Sequence, residues 1–395
     1  MRDNPAVVIT RPYWLEEPAA PLPASVRIGS PDVIVVGGGV TGCACALALA
    51  DAGLKVRLHE ARELAGGASG RNAGFALRGG AMSYVDAREA IGAERARLLW
   101  EVSERALVRI ARLAGDAFRR TGSLRVAADE AEGTALAREL EALREDGFEA
   151  ALLERLPSPL ERRFGPALLH PTDGTLQPAR WVRGLAARAA AAGAELLEGS
   201  RVAVDVLDAG HVVVAADGLT ETVLPELAGI VRPVRGQMLA TAPLRERRFE
   251  RPHYARHGFD YWVQEAETGR LLVGGKRDAS LATESSSAEE TTPLVQALLD
   301  AFATELAGER VTVTHRWAGI WGETPDRLPF AGPVPGRDGV WAAGGYSGHG
   351  NVLGFACGEL VARAILGKPA PELALFDPAR LSGLARPEGA GPRLS

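Results

Sequence analysis

The clearest hydrophobic pattern in the chain is the unbroken run Val33-Ile34-Val35-Val36, closed by Gly37-Gly38-Gly39. Four β-branched residues with no polar alternation predict a parallel strand buried on both faces. The Ala- and Leu-rich residues 42–52 predict a helix that Gly53 stops. Residues 55–58 predict a second strand, with Glu60 just past its end. Farther on, Ile91, Leu98, Val102, Leu107, Ile110 and Leu113 recur at helical spacing, and a second helix runs through Leu136, Leu140 and Leu143 to Gly147. Gln177-Pro178 opens a helix through Trp181 and Leu185. Strands are predicted at 195–197, 201–206, 211–215, 235–241, 261–264, 270–274, 311–317 and 339–343, with helices at 293–306 and 351–366. Residues 1–31, rich in proline and polar groups, are expected to form an arm on the surface.

The glycines after the first strand carry chemistry. Gly37, Gly39 and Gly42 have the spacing G-x-G-x-x-G. In the order strand, glycines, helix, strand, acid, this spacing is a dinucleotide fingerprint: a sharp turn, a bare backbone for the pyrophosphate, and close helix–strand packing. A carboxylate at Glu60 suits a ribose hydroxyl and repels a 2′-phosphate. A second glycine-rich junction, Gly344-Gly345-Tyr346-Ser347-Gly348-His349-Gly350, leads from the last strand into the last helix and aims another helix N-terminus at anionic matter. Between 60 and 80 lies a third glycine-rich stretch whose polar residues include Arg71, Asn72 and Arg78.

Composition adds limits. The 395 residues exceed one typical core, so two domains are expected. The net charge of −5 gives no reason to expect nucleic acid or an anionic membrane as partner. Cys43, Cys45 and Cys357 form neither a disulfide framework nor a metal spacing, which suits a cytoplasmic protein. No apolar run is long enough to span a bilayer.

Four segments, VVGGGVTG at 35–42, GASGRNAGF at 67–75, TPDRLPFAG at 324–332 and GYSGHG at 345–350, together resemble the FAD-dependent amine and amino-acid oxidases of the D-amino-acid oxidase superfamily. ASGRN with GYSGHG is most similar to the γ-glutamylputrescine branch. The resemblance implies a non-covalent FAD. Its ADP half would lie on Gly37, Gly39, Val40, Thr41 and Gly42, with Glu60, Ala61 and Arg62, and on the Val202 backbone. Ala68, Ser69, Arg71 and Asn72 would lie along the pyrophosphate and flavin. Gly319, Gly345, Tyr346, Gly348, His349, Gly350 and Asn351 would meet the flavin, where N–H groups at a helix N-terminus stabilise the anionic reduced ring.

Two positions depart from the sarcosine oxidase pattern. Val352 replaces the lysine that would hold a substrate carboxylate. Leu272 stands at the oxygen-activating lysine, and Lys276, four residues on, is the remaining candidate for that role. His349 and Lys276 are therefore the catalytic candidates, His349 as a flavin neighbour rather than a proton carrier. Arg78 matches an arginine that helps hold the carboxylate; a surface arginine is the competing reading. Tyr254 and Tyr261, with Val352, complete the expected substrate pocket, and only one of Tyr261 and Trp262 can face it.

The expected fold is α/β, with a Rossmann-type FAD domain (1–85, 166–230, 311–395) interleaved with an α+β substrate domain (86–165, 231–310) on a mostly antiparallel sheet. The implied reaction oxidises the C–N bond of a small amine or amino acid to an imine, with hydride transfer to flavin N5 and reoxidation by O2. An electron carrier in place of O2, or a flavin-binding module without catalysis, are the alternatives.

Overall fold

The computed structural model describes residues 8–22 and 27–383. A six-stranded sheet has the order Phe330–Pro333, Val340–Gly344, His211–Val214, Val33–Val36, Val56–His59, Glu195–Leu197. All neighbours are parallel except the first pair. The first strand is buried on both faces because each face has its own cover. Val33 and Val35 pack with the Val40–Asp51, Pro178–Ala191 and Gly350–Ile365 helices, whereas Ile34 and Val36 join a separate cluster with Val204, Leu224, Leu227 and Val231.

The second sheet has eight strands in the order Val313–Glu323, Arg232–Pro243, Arg270–Gly275, Asp260–Gln264, His253–Ala255, Ser123–Val126, Ala167–His170, Ala151–Leu153. It is antiparallel apart from the His253–Ala255 and Ser123–Val126 pair. Leu239, Trp262, Leu271 and Val273 bury one of its faces against Val295, Leu299 and Phe302 of the Pro293–Ala307 helix.

The structure corrects several expected elements. Residues 201–206 form no strand; Val204–Val206 is a 3-10 turn. The helix predicted over 91–113 is two helices, Tyr84–Ile91 and Ala93–Leu113, broken at Gly92, whose φ of 85° lies in the left-handed region. The Val313–Glu323 strand runs six residues past 317, held by pairing along Arg232–Pro243. That strand and Ala167–His170 fall in segments expected to be cofactor domain, yet both belong to the eight-stranded sheet. The N-terminal arm does not simply lie on the surface: Trp14 and Leu15 are buried, and Trp14 Nε1 donates to the Asn72 carbonyl at 2.8 Å.

Candidate active site

The Val40–Asp51 helix starts after Gly39 and the Gly350–Ile365 helix after His349, and neither N-cap side chain caps its helix. Both N-termini open on one cavity of about 640 Å³. Unpaired N–H groups and the positive ends of two helix dipoles make it favourable for an anion. The two helices are tied at this point by the hydroxyls of Thr41 and Tyr346, 2.8 Å apart. Gly358 permits the approach, since a Cβ there would lie 2.4 Å from the Thr41 carbonyl oxygen.

The three fingerprint glycines do different work. Gly37 has φ 115°, and a Cβ on it would meet the Ala215 carbonyl oxygen at 2.4 Å. A Cβ on Gly42 would sit 1.9 Å from the Gly37 carbonyl oxygen. Both serve packing, and neither lines the cavity. Gly39 does line it, and its absent Cβ would come within 3 Å only of Ser69 Oγ. Bare backbone at Gly39, two open helix ends and the buried, unpartnered Nδ1 of His349 fit a cofactor that carries phosphates on one side and a flat ring on the other.

Glu60, Ala61, Arg62 and Val202 lie outside the cavity lining. Glu60 braces the glycine loop: Oε2 accepts the Gly38 N–H at 2.7 Å and Oε1 the Arg62 N–H at 2.8 Å. Each oxygen keeps a second lone pair for a ribose hydroxyl. Arg62 pairs with Glu289 at 2.7 Å, which also reaches Arg71 at 3.1 Å.

The 67–75 motif and the last helix lock together. Asn72 and Asn351 exchange amide hydrogen bonds at 3.0 Å in both directions, and Asn351 Nδ2 also donates to the Phe75 carbonyl. Ser69 Oγ accepts the Val40 N–H at 3.0 Å. Arg71 donates from Nε to the Gly66 carbonyl and from Nη1 to the Ala318 carbonyl, crossing over Gly319, where a Cβ would meet Arg71 Cβ at 2.9 Å. Ala68, Ser69, Arg71, Asn72, Gly319, Tyr346, Gly348, His349, Gly350, Asn351 and Val352 all line the cavity, while Gly345 shapes it from behind. Burial lowers the His349 pKa to about 4, so its imidazole is neutral near pH 7.

The eight-stranded sheet supplies an aromatic wall. Tyr254 and Tyr261 are cross-strand partners, and both line the cavity, while Trp262 points into the core. The Tyr261 ring lies over Gly274, where a Cβ would strike it at 2.1 Å, and the Trp321 ring lies over Gly236 at 2.3 Å. Both phenols are neutral: burial pushes Tyr261 up to about 12 and raises Tyr254 as well.

Two candidates are turned elsewhere. Arg78 does not reach the cavity; its side chain is fully buried and donates to Glu104 at 2.7 Å, the Glu149 carbonyl at 3.0 Å and His170 Nδ1 at 3.1 Å. It is neither a surface arginine nor a pocket one but a polar strut in the core. Lys276 stands in the left-handed region (φ 61°) and points away from the cavity, with Nζ donating to the buried Asp260 at 2.7 Å and lying over the Phe302 ring. Desolvation lowers its pKa. Leu272 is fully buried between neighbouring strands.

The cavity also gathers residues that no motif announced. Arg277 lies between the rings of Phe259 and Trp321, 4.8 and 5.6 Å from their centroids, with Nη2 on Glu323 at 3.1 Å. Asp217 is half-buried at the start of the 3-10 turn that follows the His211–Val214 strand. Both sit in polar loops, where periodicity is silent. The one available signal for Trp321 was the continuation of strand alternation beyond 317.

These features define a cavity suited to a dinucleotide, with an aromatic wall. A family profile described as FAD dependent oxidoreductase (DAO) matches residues 32–364, and the chain belongs to this family of FAD-dependent oxidoreductases. It is 29% identical over 386 residues to the probable oxidoreductase OrdL of Rhizobium meliloti (strain 1021), covering 89% of this chain and 86% of that one. It is 29% identical over 367 residues to gamma-glutamylputrescine oxidoreductase of Escherichia coli (strain K12), covering 85% and 84%. The fold superposes on glycine oxidase from Geobacillus kaustophilus with a TM-score of 0.74 at 24% identity, over 92% of this chain and 100% of that one. No helix among the described residues is long and apolar enough to cross a membrane.

Proposed function

We propose that this chain oxidises the C–N bond of a small primary or secondary amine or amino acid that also carries an anionic group, using a non-covalent FAD. The observation that carries this reading is Arg277 at the wall of a cavity already shaped for the cofactor. Two aromatic faces fix its guanidinium, and Nε and Nη1 have no hydrogen-bond partner among the described residues, which leaves donors for a carboxylate. Arg277 takes the role that the sequence offered to Arg78. Of the other cavity-lining arginines, Arg71 is committed to carbonyls and Glu289, Arg125 to Glu139 and Arg232 to Glu323.

FAD, when bound, accepts the hydride equivalent from the carbon beside the nitrogen. The chain's part is to orient and desolvate the amine. Tyr254 and Tyr261 offer neutral phenols, and His349 stays neutral with a lowered pKa, so none of these three is poised to take the ammonium proton. The amine must arrive unprotonated, and turnover should rise with pH. No cysteine lines the cavity among the described residues, in keeping with a cofactor held by contacts alone. The two sheets serve as cofactor half and substrate half. The free cysteines fit a reducing cytosol.

Reoxidation by O2 is the simplest completion of the cycle. Transfer to an electron carrier is a second reading, favoured by Lys276, whose ammonium faces Asp260 rather than the cavity. The test is anaerobic bleaching of the flavin with a panel of amines, followed by peroxide assay in air. Bleaching without peroxide selects the carrier, and no bleaching with any amine rejects the proposal. For the anionic handle, Arg277→Met should raise KM at least about tenfold for an anionic amine, equivalent to about 1.4 kcal/mol, and far less for its neutral ester. Equal effects on both would remove Arg277 from recognition.

A further inference from the structure

Asp217 is a half-buried carboxylate with no cation bonded to it among the described residues. Backbone N–H groups take that place. Oδ1 accepts the Gly345 N–H at 2.9 Å and Oδ2 the Gly322 N–H at 3.1 Å. These donors come from two places distant in sequence: the glycine turn before the last helix and the Val313–Glu323 strand. The backbone is held to match, since φ at Asp217 is 44°, in the left-handed region that favours Gly, Asn and Asp. Neighbouring glycines leave the carboxylate room: a Cβ on Gly344 would lie 3.1 Å from Asp217 Cα, and one on Gly322 3.1 Å from Oδ1. The cavity lining includes Asp217 itself together with Tyr346, Ser347 and Gly348 of the turn it grips.

We propose that Asp217 is a positioning residue: its carboxylate clamps the Gly345–Tyr346 turn to the Val313–Glu323 strand and so presets the backbone that receives the flavin ring. An ionised carboxylate holding two backbone N–H groups is a short, charge-assisted clamp, stronger than the water-mediated or neutral contacts that would replace it. Burial pushes the Asp217 pKa up to about 6 while the converging N–H groups pull it down, so the carboxylate is ionised above neutrality. The inference rests on the reading that this turn meets the flavin rather than the ADP half of the cofactor.

The test uses Asp217→Asn and Asp217→Gly, both of which tolerate the left-handed backbone. Asparagine keeps one acceptor oxygen, and glycine keeps none. Apoprotein of each is titrated with FAD and, separately, with ADP. The affinity for FAD should fall at least tenfold in the Asn variant and further in the Gly variant, while ADP affinity changes less than threefold. The visible spectrum of bound flavin should shift in both variants, because the donors at the ring have moved. Unchanged FAD affinity in both variants overturns the clamp, and so does an equal loss of FAD and ADP affinity, which marks a general folding defect. If wild-type apoprotein takes up no FAD, it is the functional reading that fails, and that outcome is visible before any variant is compared.

Discussion

Gly39 and Gly42 belong to one motif, yet substitutions at them should fail in opposite ways. At Gly42 a single methyl group meets backbone. The new Cβ would lie 1.9 Å from the Gly37 carbonyl oxygen and 3.3 Å from Val35 Cγ1. The loop cannot yield easily, because Gly37 N donates to the His59 carbonyl at 2.8 Å and its φ of 115° is already special. Gly42→Ala must therefore lift the helix off the strand, an overpacking strain of about 1–3 kcal/mol. At Gly39 the backbone is extended (φ −83°, ψ −174°), which any residue adopts. The only atom within 3 Å of a new Cβ is Ser69 Oγ, at 2.9 Å. Moving it costs the Val40 N–H bond, about 0.5–1.5 kcal/mol. Gly39→Val should therefore stay folded but fill the space in front of the helix N-terminus. FAD affinity should drop at least about 100-fold, or about 2.8 kcal/mol. Urea unfolding of the two apoproteins, followed by FAD titration, separates the cases. A Gly39→Val protein with its full complement of flavin, or a Gly42→Ala apoprotein as stable as wild type, would refute the reasoning.

Three further outcomes are expected. Arg78→Met should cost stability, about 1.5–3 kcal/mol for a hydrogen bond to a charged group, and leave the ratio of KM values for anionic and neutral amines unchanged; urea midpoints and paired kinetics check this. Lys276→Met should leave the rate of flavin reoxidation in air unaltered and lower stability by about 1.5–3 kcal/mol, the range for a hydrogen bond to a charged group, as stopped-flow and thermal unfolding will show. Burial drives the His253 pKa from 6.5 down to about 3, so the folded protein binds fewer protons than the unfolded chain between those values. Stability is then full above pH 6.5 and declines as pH falls toward 3, by up to about 1.4 kcal/mol per unit. His253 stacks on Trp262 at 5.1 Å, so His253→Phe should keep the packing and flatten that part of the acid-denaturation profile.

The sequence by itself determined the cofactor half. A strand buried on both faces, glycines where backbone meets backbone, and a helix start have local signatures, because the forces behind them act within a few residues. Val33–Val36 is a strand as read, and the helix beginning at 178 has its Gln177 side chain as cap. The motifs at 67–75 and 345–350 were expected to meet one ligand, and residues of both line one cavity. That Asn72 and Asn351 bond to each other, 279 residues apart, was not.

Only the tertiary structure decided the half built on the eight-stranded sheet. Its strands are short, and in the eight-stranded sheet Ser123–Val126 finds its neighbours at 167–170 and 253–255, so nothing local fixes them. The same holds for side-chain direction. Arg78, Lys276 and Arg277 are three cations in polar company by sequence. Packing sends Arg78 into a buried network with Glu104 and His170, Lys276 onto Asp260, and Arg277 between two rings at the cavity. A long flexible side chain takes its direction from which carboxylate or aromatic face lies within reach, and that is settled only once distant segments have met.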